Sequence, residues 1–420
     1  MHLNFDNTFL KMKKTKLALH WQIVIAIILG ALFGFYFTEQ TSYVDWMGMV
    51  FMRALKMIVV PLVFCSVVGG VAGISATDGF LRLGGKTVGY YLFTCLVAIL
   101  TGLFLVNLIK PGQGLSITLP ETTASLTTSQ MTIRDFLINM IPDNIFQAFS
   151  TTNMVGVILF AIIFGVFLGK SIHPAAQKVQ HAIEGIGDVI MNLTMFILQL
   201  APFGIFGLIA SVIATEANSA EKLKSMIESQ GLYLFTVVFG IAFHLFVTLS
   251  LLLYIMGRIN PFKHLSRMKE VLLMAFSTAS SNGTLPLTLA HVKSRCGVSE
   301  KMANFTLPLG ATVNMNGTSL YECVAVLFIA QVYGMDLTTA QQLFVIFASL
   351  MVGIGTAGIP MASLVMTIVV IQVAGLPPES IGLILLVDRF ADMARTVLNV
   401  YADTVCTLLV AKSEGEKIRN

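Results

Sequence analysis

Residues 388–403 read DRFADMARTVLNVYAD, five charges in sixteen residues set inside a run that is otherwise apolar. At about 100° per residue, Asp388, Asp392, Arg395, Asn399 and Asp403 fall within a sector of about 80°. The spacing therefore predicts a helix with one polar face over nearly four turns. What that face is for depends on the medium around it.

The 420 residues are 56% hydrophobic and 11% charged, a balance that fits a polytopic membrane protein and excludes an ordinary soluble domain. A span needs roughly 20 apolar residues. Runs of that kind occur at about 18–38, 46–73, 84–109, 153–170, 185–214 and 231–257. After residue 258 the pattern changes, because Ser, Thr, Gly, Asn and Pro interrupt the apolar stretches where charged loops did before. In such a chain each charge near the bilayer centre costs roughly 2.5–3.5 kcal/mol on insertion scales. Five of them on one helix are too costly to face lipid, so the polar stripe must face protein or a cavity.

The first span follows Lys11, Lys13, Lys14 and Lys16 and is too long for a cleaved leader. With the N-terminus inside, Arg82, Lys86, Lys170, Lys178, Arg258, Lys263, Arg267, Lys269, Lys417 and Arg419 all fall on the cytoplasmic side, as the positive-inside bias expects. Both termini are then cytoplasmic, and the last third must supply two full spans. The net charge of +4 is accounted for by this loop bias, and no nucleic-acid partner is expected. Cys65, Cys95, Cys296, Cys323 and Cys406 are far apart, and the seven histidines form no ligand pattern; neither a disulfide framework nor a metal centre is expected.

Residues 111–133 form the longest polar connection, expected outside, and 134–150 form a mildly amphipathic interfacial segment. Two later segments, 265–295 and 337–376, share one design: apolar arm, small polar tip, apolar arm. Their tips are STASSNGTLP (277–286) and GIGTAGIP (353–360). Neither segment is long enough to cross twice, so each is expected to enter and return. Irregular backbone at membrane depth is tolerated only where protein or water satisfies it. Between them, 302–333 is a helix expected to break at NMNGT (314–318), freeing carbonyls for a cation. Two hairpin-plus-helix units in succession are the repeat pattern that places a transporter site near the midplane.

The blocks SSNGTLP (280–286), LPLGATVNMNGTSLYE (307–322), GTAGIP (355–360) and DMARTVLNVYAD (392–403) resemble the signatures of the glutamate transporter family, the dicarboxylate/amino acid:cation symporters. IVVPLVFCSVVGG (58–70) and LAPFGIFGLIA (200–210) extend the likeness over nearly the whole chain. An archaeal relative is itself an example of the inverted-repeat class, so that inference and the resemblance are not independent. The resemblance implies an all-α fold of eight transmembrane helices plus two re-entrant helical hairpins, working as an elevator in a homotrimer. Residues 1–83 and 111–217 would be the scaffold, and 84–110 and 218–420 the transport domain.

Carried over residue by residue, the resemblance gives Asp392 the substrate α-amino group and Arg395 its side-chain carboxylate. Thr318, Thr396 and Asn399 would add polar contacts. Ser280, Ser281 and the second tip, Ala357, Gly358, Ile359 and Pro360, would hold the α-carboxylate, with that tip as the extracellular gate. Carriers of neutral amino acids lack the arginine, and carriers of C4-dicarboxylates place a small neutral residue at Asp392. The expected substrate is a small acidic amino acid, L-aspartate or L-glutamate. A proton- or sodium-coupled C4-dicarboxylate or neutral amino acid symporter of the same fold is the alternative.

Sodium is the expected coupling ion. One family site matches Gly310, Asn314, Asn399 and Asp403, and a second Thr312, Gly353, Ile354 and Thr356. The third departs from the pattern: beside Tyr91 and Thr94, Cys95 replaces a serine and Asn316 replaces an aspartate, leaving fewer hard oxygen ligands and less charge. Glu322 stands where proton-coupled animal members carry a glutamate and archaeal ones a glutamine. The expectation is a weakened third sodium site with a proton (H+) taking its place. The arginine that archaeal relatives carry at the first tip is here Ala279, animal members carry it at the position of Met393, and Arg389 is the substitute candidate. No nucleophile–base pair or cofactor motif accompanies the carboxylates, so an enzyme is not expected. A bacterial inner membrane, with lipid as solvent, is the expected location.

Overall fold

The computed structural model describes residues 19–75, 81–115, 138, 141–151, 153–216, 220–356, 358 and 362–419. The Lys-rich N-terminus, residues 116–133 of the polar connection, and Ala357, Ile359 and Pro360 of the second tip lie outside them. Among the described residues all regular structure is helical.

The helices are α1 (Leu19–Tyr36), α2 (Asp45–Ser75), α3 (Leu81–Ile109), α4 (Ile145–Ser150), α5 (Met154–Lys170), α6 (Pro174–Gln199), α7 (Ala201–Glu216), α8 (Ala220–Phe243), α9 (Ser250–Ile255), α10 (Pro261–Thr278), α11 (Ser281–His291), α12 (Glu300–Val313), α13 (Asn316–Val332), α14 (Thr339–Gly355), α15 (Ala362–Val373) and α16 (Leu385–Ser413). A π-helical turn, His244–Leu249, joins α8 to α9. Five described stretches are long and apolar enough to cross a membrane: Asp45–Ala72, Leu83–Ile109, Pro174–Gln199, Glu221–Ile255 and Glu300–Val332. The chain is thus a multi-pass membrane protein in composition and in helix length.

α1 shows how such helices pack. Trp21, Ile25, Ile28, Leu29 and Leu32 are exposed along one side, while Gly30 and Gly34 press the other side onto α7. A Cβ on Gly34 would stand 2.4 Å from the Ala210 carbonyl oxygen. Both faces are apolar, and the protein-facing one is marked by small residues that let backbones approach, since lipid gives apolar side chains no reason to hide.

α1, α2, α5, α6 and α7 pack chiefly on one another, and α3 and α8 to α16 form a second set, with α2 also touching α14 and α15. The centre of the second set is α13, packed against α3, α8, α14 and α16. Both arms of each hairpin are helices, α10 with α11 and α14 with α15. The first turns back at Ala279, which takes the left-handed conformation (φ 49°).

Three expectations need correcting. The apolar run 185–214 is two helices that part at Leu200, because Pro202 in the first turn of α7 has no N–H to continue the ladder; the first begins at Pro174. The span expected at 231–257 begins at Ala220. The broken helix parts at Asn314 and Met315 alone, and Asn316, Gly317 and Thr318 already form the first turn of α13. A distant group causes this: Asn399 Oδ1 on α16 accepts the Gly317 N–H at 2.7 Å, supplying a cap that local sequence lacks.

Arg258, closing α9, is also left-handed (φ 50°), a position usually given to glycine. For an L-residue that conformation costs roughly 1–2 kcal/mol. A cation at a helix C-terminus returns about 0.3–1 kcal/mol of that.

Gly317 tests the packing of α13 on α16, since its added Cβ would stand 2.4 Å from the Arg395 carbonyl oxygen, whereas nothing lies within 4 Å at Gly89. Gly317→Ala is expected to destabilise by about 1–3 kcal/mol, and Gly89→Ala to stabilise by roughly 0.5–1 kcal/mol, both read as thermal unfolding in detergent.

Candidate functional site

The predicted polar face of α16 is real and wholly interior: Asp388, Asp392, Arg395, Asn399 and Asp403 are each less than 5% exposed. From Leu398 to Ala411 every residue of the helix is buried. The charges survive there by pairing. Arg395 Nη1 lies 3.1 Å from Asp388 Oδ1, and its Nη2 lies 2.9 Å from Asp392 Oδ1. Arg389, the candidate substitute for the first-tip arginine, contacts Asp392 Oδ2 at 3.3 Å. Tyr321 of α13 closes the group: its hydroxyl donates to Asp388 Oδ1 at 2.7 Å, and its ring lies 4.3 Å from the Arg395 guanidinium carbon. Two carboxylates and two guanidiniums thus neutralise one another under an aromatic cover.

Beside this quartet a small cavity of about 10 Å³ is walled by Ser281 and Ala279 of the first hairpin, Thr356, Gly358 and Ser363 of the second, Met315 and Thr318 of the broken helix, and Asp392, Thr396 and Asn399 of α16. That is roughly the room of one water. The hairpin tips close it. Ser280 Oγ donates to the Gly358 carbonyl at 2.8 Å, and the Asn282 N–H donates to the same oxygen at 2.9 Å. Ser280 also caps α11 by accepting the Gly283 N–H, so the N-terminal end of α11, the electropositive one, meets this space. Of the residues expected to hold substrate, Ser281, Thr318, Gly358, Asp392, Thr396 and Asn399 line the cavity. Ser280 stands at its lip, and Arg395 lies outside the lining, held by its two aspartates.

The candidate cation residues divide into separate clusters. Asn314 Nδ2 donates to Asp403 Oδ1 at 2.9 Å, and Thr94 Oγ1 donates to Asn314 Oδ1 at 3.3 Å. A Cβ on Gly310 would stand 2.6 Å from Asp403 Oδ1 and 3.0 Å from the Tyr91 hydroxyl. Gly310, Asn314, Asp403, Tyr91 and Thr94 therefore form one oxygen-rich group. Among the described residues, neither Cys95 nor Asn316 hydrogen-bonds to that group. Cys95 has Ser319 beside it, and Asn316 Nδ2 lies 3.4 Å from His244 Nε2. Asn316 Oδ1 and both oxygens of Glu322 are buried with no hydrogen-bond partner. Thr312, Ile354 and Thr356 line a third space, of about 430 Å³, shared with Glu184 and Asp188 of α6. Gly353 faces away, against Ser319 Oγ.

A family model described as the sodium:dicarboxylate symporter family matches residues 19–413. The chain is 32% identical over 411 residues to a proton/sodium-glutamate symport protein of Bacillus caldotenax, covering 96% of each chain. It belongs to the sodium:dicarboxylate symporter family. It is also 32% identical over 426 residues to a proton/glutamate-aspartate symporter of Escherichia coli K12, covering 96% of this chain and 94% of that one. Excitatory amino acid transporter 3 of Oryctolagus cuniculus is 31% identical over 453 residues, covering 94% of this chain and 85% of that one.

Within this family member, sequence reasoning missed Tyr321, His244, Asn282, Glu184 and Asp188. Tyr321 was within reach, being a phenol in the block next to Glu322. The others enter only through contacts between segments far apart in the chain.

Asp388→Asn leaves a buried guanidinium short of one carboxylate. It is expected to destabilise the fold by about 3–5 kcal/mol, and thermal unfolding in detergent showing a loss under about 1 kcal/mol would mean that the quartet is not the anchor described.

Proposed function

We propose that the chain is a secondary active symporter that imports an acidic amino acid, L-aspartate and/or L-glutamate, coupled to sodium, with a proton in place of the third sodium. The observation that carries this reading is Asp392 in the cavity wall with the Arg395 guanidinium 2.9 Å from it. A zwitterion bearing a second carboxylate needs one anion and one forked cation at such a distance.

On this reading Asp392 takes the α-amino group, Arg395 keeps Asp388 and turns from Asp392 to the side-chain carboxylate, and Thr318, Thr396 and Asn399 complete the polar contacts. The α-carboxylate lies against the backbone of Ser280 and Ser281, at the N-terminus of α11, and of the second tip from Ala357 to Pro360. A cavity of about 10 Å³ cannot hold an amino acid, so loading requires the Gly358 carbonyl to leave Ser280 and Asn282. That motion makes the second hairpin the gate. The two packing sets support a division into a scaffold (1–83 and 111–217) and a moving transport domain (84–110 and 218–420), assembled as a homotrimer. The membrane is the plasma membrane, bacterial inner membrane included, with eight spans, two re-entrant hairpins and both termini cytoplasmic.

The coupling ions are cargo, and the donors fit sodium unequally. Asp403 with Gly310, Asn314 and Asn399 offers a carboxylate and amide oxygens; Thr312, Ile354 and Thr356 line a space with two acidic side chains and offer neutral oxygens, to which neighbouring Gly353 adds its carbonyl. Asn316 has a buried oxygen without a donor, but it is a neutral ligand where the family usually has a carboxylate, which supports a weak third site. Neither carboxyl oxygen of Glu322 has a hydrogen-bond partner, a setting that favours the neutral acid over the bare anion.

In proteoliposomes, excess L-aspartate or L-glutamate is expected to displace labelled L-aspartate, while succinate and L-serine leave uptake nearly unchanged. Displacement by succinate or serine in preference to aspartate overturns the substrate assignment. For coupling, reversal potentials under imposed gradients should respond to both sodium and protons, and Glu322→Gln should abolish the proton dependence while sodium dependence remains. Three sodium ions per substrate with no proton flux would overturn the ion assignment and leave the substrate assignment intact.

A further inference from the structure

Past Ser413, where α16 ends, the chain turns back onto the molecule. Gly415 takes the left-handed conformation (φ 88°), which glycine adopts freely, and residues 416–419 cross the base of the first hairpin. This tail meets four elements. Glu414 pairs with Lys86 of α3. Glu416 Oε2 accepts the Ser299 N–H at 2.9 Å, and its Oε1 accepts the Ser299 hydroxyl, at the start of α12. The Arg419 N–H donates to the Cys296 carbonyl at 2.9 Å and its Nη1 to the Ser294 carbonyl at 2.7 Å, both in the π-helical turn Val292–Cys296 that follows α11. The Arg419 carbonyl in turn accepts Arg267 Nη1 of α10 at 2.7 Å.

Two of these contacts complete what the local sequence leaves open. Ser299 caps α12, accepting the Met302 N–H at 3.2 Å, but a capping box also needs Glu or Gln at that third helical position to take the N–H of the cap itself. Met302 is apolar and buried, and Glu416 brings the missing carboxylate from beyond α16. Arg419 lies directly on Gly297, the left-handed link (φ 77°) between the π turn and α12, where a Cβ would stand 3.2 Å from Arg419 Cγ. Arg295 of the same turn carries the tie across the hairpin. Its Nη1 donates to the Arg267 carbonyl at 3.4 Å and its Nη2 to Glu270 Oε2 at 2.9 Å, and His291 Nε2 of α11 lies 3.0 Å from that oxygen. The tail thus binds α10, α11 and α12 together at the end of the hairpin opposite its tip.

We propose that residues 414–419 are a restraining strap, which holds the arms of the first hairpin together at their base and whose release eases the parting of the two hairpin tips. This rests on the proposed function, in which loading separates Ser280 and Asn282 from the Gly358 carbonyl. A hairpin bonded at its tip and tied at its base resists that separation at both ends. The strap's ion pair and hydrogen bonds lie at the surface, where each is weak, so it can lift as a local unit while the helices stay folded.

Cys296 is a built-in reporter. Its thiol is fully buried, 3.7 Å from His264 Nδ1 of α10, so a reagent reaches it only when the arms part. The full chain in neutral detergent is treated with a small maleimide, and each labelled cysteine is identified by peptide mass spectrometry. A chain stopped after Ser413 and a Glu416→Ala/Arg419→Ala variant should both label Cys296 about fivefold or more faster than wild type, with Cys323 of α13 and Cys406 of α16 unchanged. Lys417→Ala, exposed on the tail, should match wild type, and Glu416→Gln, which retains one acceptor oxygen, should fall between. In proteoliposomes both strapless variants should raise the maximal rate of L-aspartate uptake about threefold and raise KM with it, because the closed state is less favoured. Unchanged Cys296 labelling in both variants overturns the strap, as does equal acceleration at Cys323 and Cys406, which would report general unfolding. Faster labelling with an unchanged or lower uptake rate overturns the link to the tips. Labelling needs no substrate, so failure of the strap is told apart from failure of the amino acid assignment.

Discussion

The constraint that organises this molecule is the burial of Arg395. A guanidinium 1% exposed in a membrane protein has neither water nor lipid head groups to solvate it, so the protein must supply carboxylates, and those need cations or donors in turn. Asp388, Asp392, Arg389 and the Tyr321 hydroxyl meet that need. Tyr321 can do so only if α13 lies directly on α16, which requires Gly317 to press against the Arg395 backbone. That contact brings the Gly317 N–H to Asn399, whose side chain then caps α13 and permits the break at Asn314 and Met315. The break in turn delivers the Asn314 amide to Asp403. One ion-pair cluster, one glycine and one amide cap therefore fix the relation of the broken helix to the charged one.

The polar face of α16 was legible in the sequence because two elementary quantities are large: helical periodicity is strict, and a lipid-facing charge is costly. The hairpin arms were legible for a similar reason, since an interrupted apolar run too short to cross twice has few ways to satisfy its backbone. The ends of the break were not. Asn316, Gly317 and Thr318 are poor helix formers locally, and a side chain more than eighty residues away makes them helical. Pro202 carried a readable stop signal, but hydropathy averaged over a run does not register the loss of one N–H.

The site residues show the same division. Asp392 and Asn399 followed from the helical face, and the resemblance added Ser281, Thr318, Gly358 and Thr396; all six line one cavity. The grouping of the candidate cation ligands was less legible. Tyr91, Thr94 and Cys95 are adjacent in sequence, yet successive residues of a helix point about 100° apart. Tyr91 and Thr94 accordingly reach Asp403 and Asn314, while Cys95 turns toward Ser319. Sequence adjacency and motif order do not resolve such a split; the rotation of α3 against α13 does.

The closed cavity and the bound state of Arg395 are two sides of one arrangement. With the tips hydrogen-bonded through the Gly358 carbonyl, no anion can reach the guanidinium, and Asp388 and Asp392 hold it in place. On the proposed function, an acidic amino acid exchanges charge for charge: its ammonium replaces Arg395 beside Asp392, its side-chain carboxylate replaces Asp392 beside Arg395, and Asp388 keeps Tyr321 as donor. Such an exchange leaves no buried charge unmatched, which is the condition for entering a site of low dielectric at modest cost. The remaining α-carboxylate is the part with no counterpart in the empty site. It falls to the α11 terminus and the second tip, the two elements whose mutual hydrogen bonds must break to admit it. Recognition of that one group is thereby coupled to opening, and the substrate that fits best is the one that replaces what it displaces.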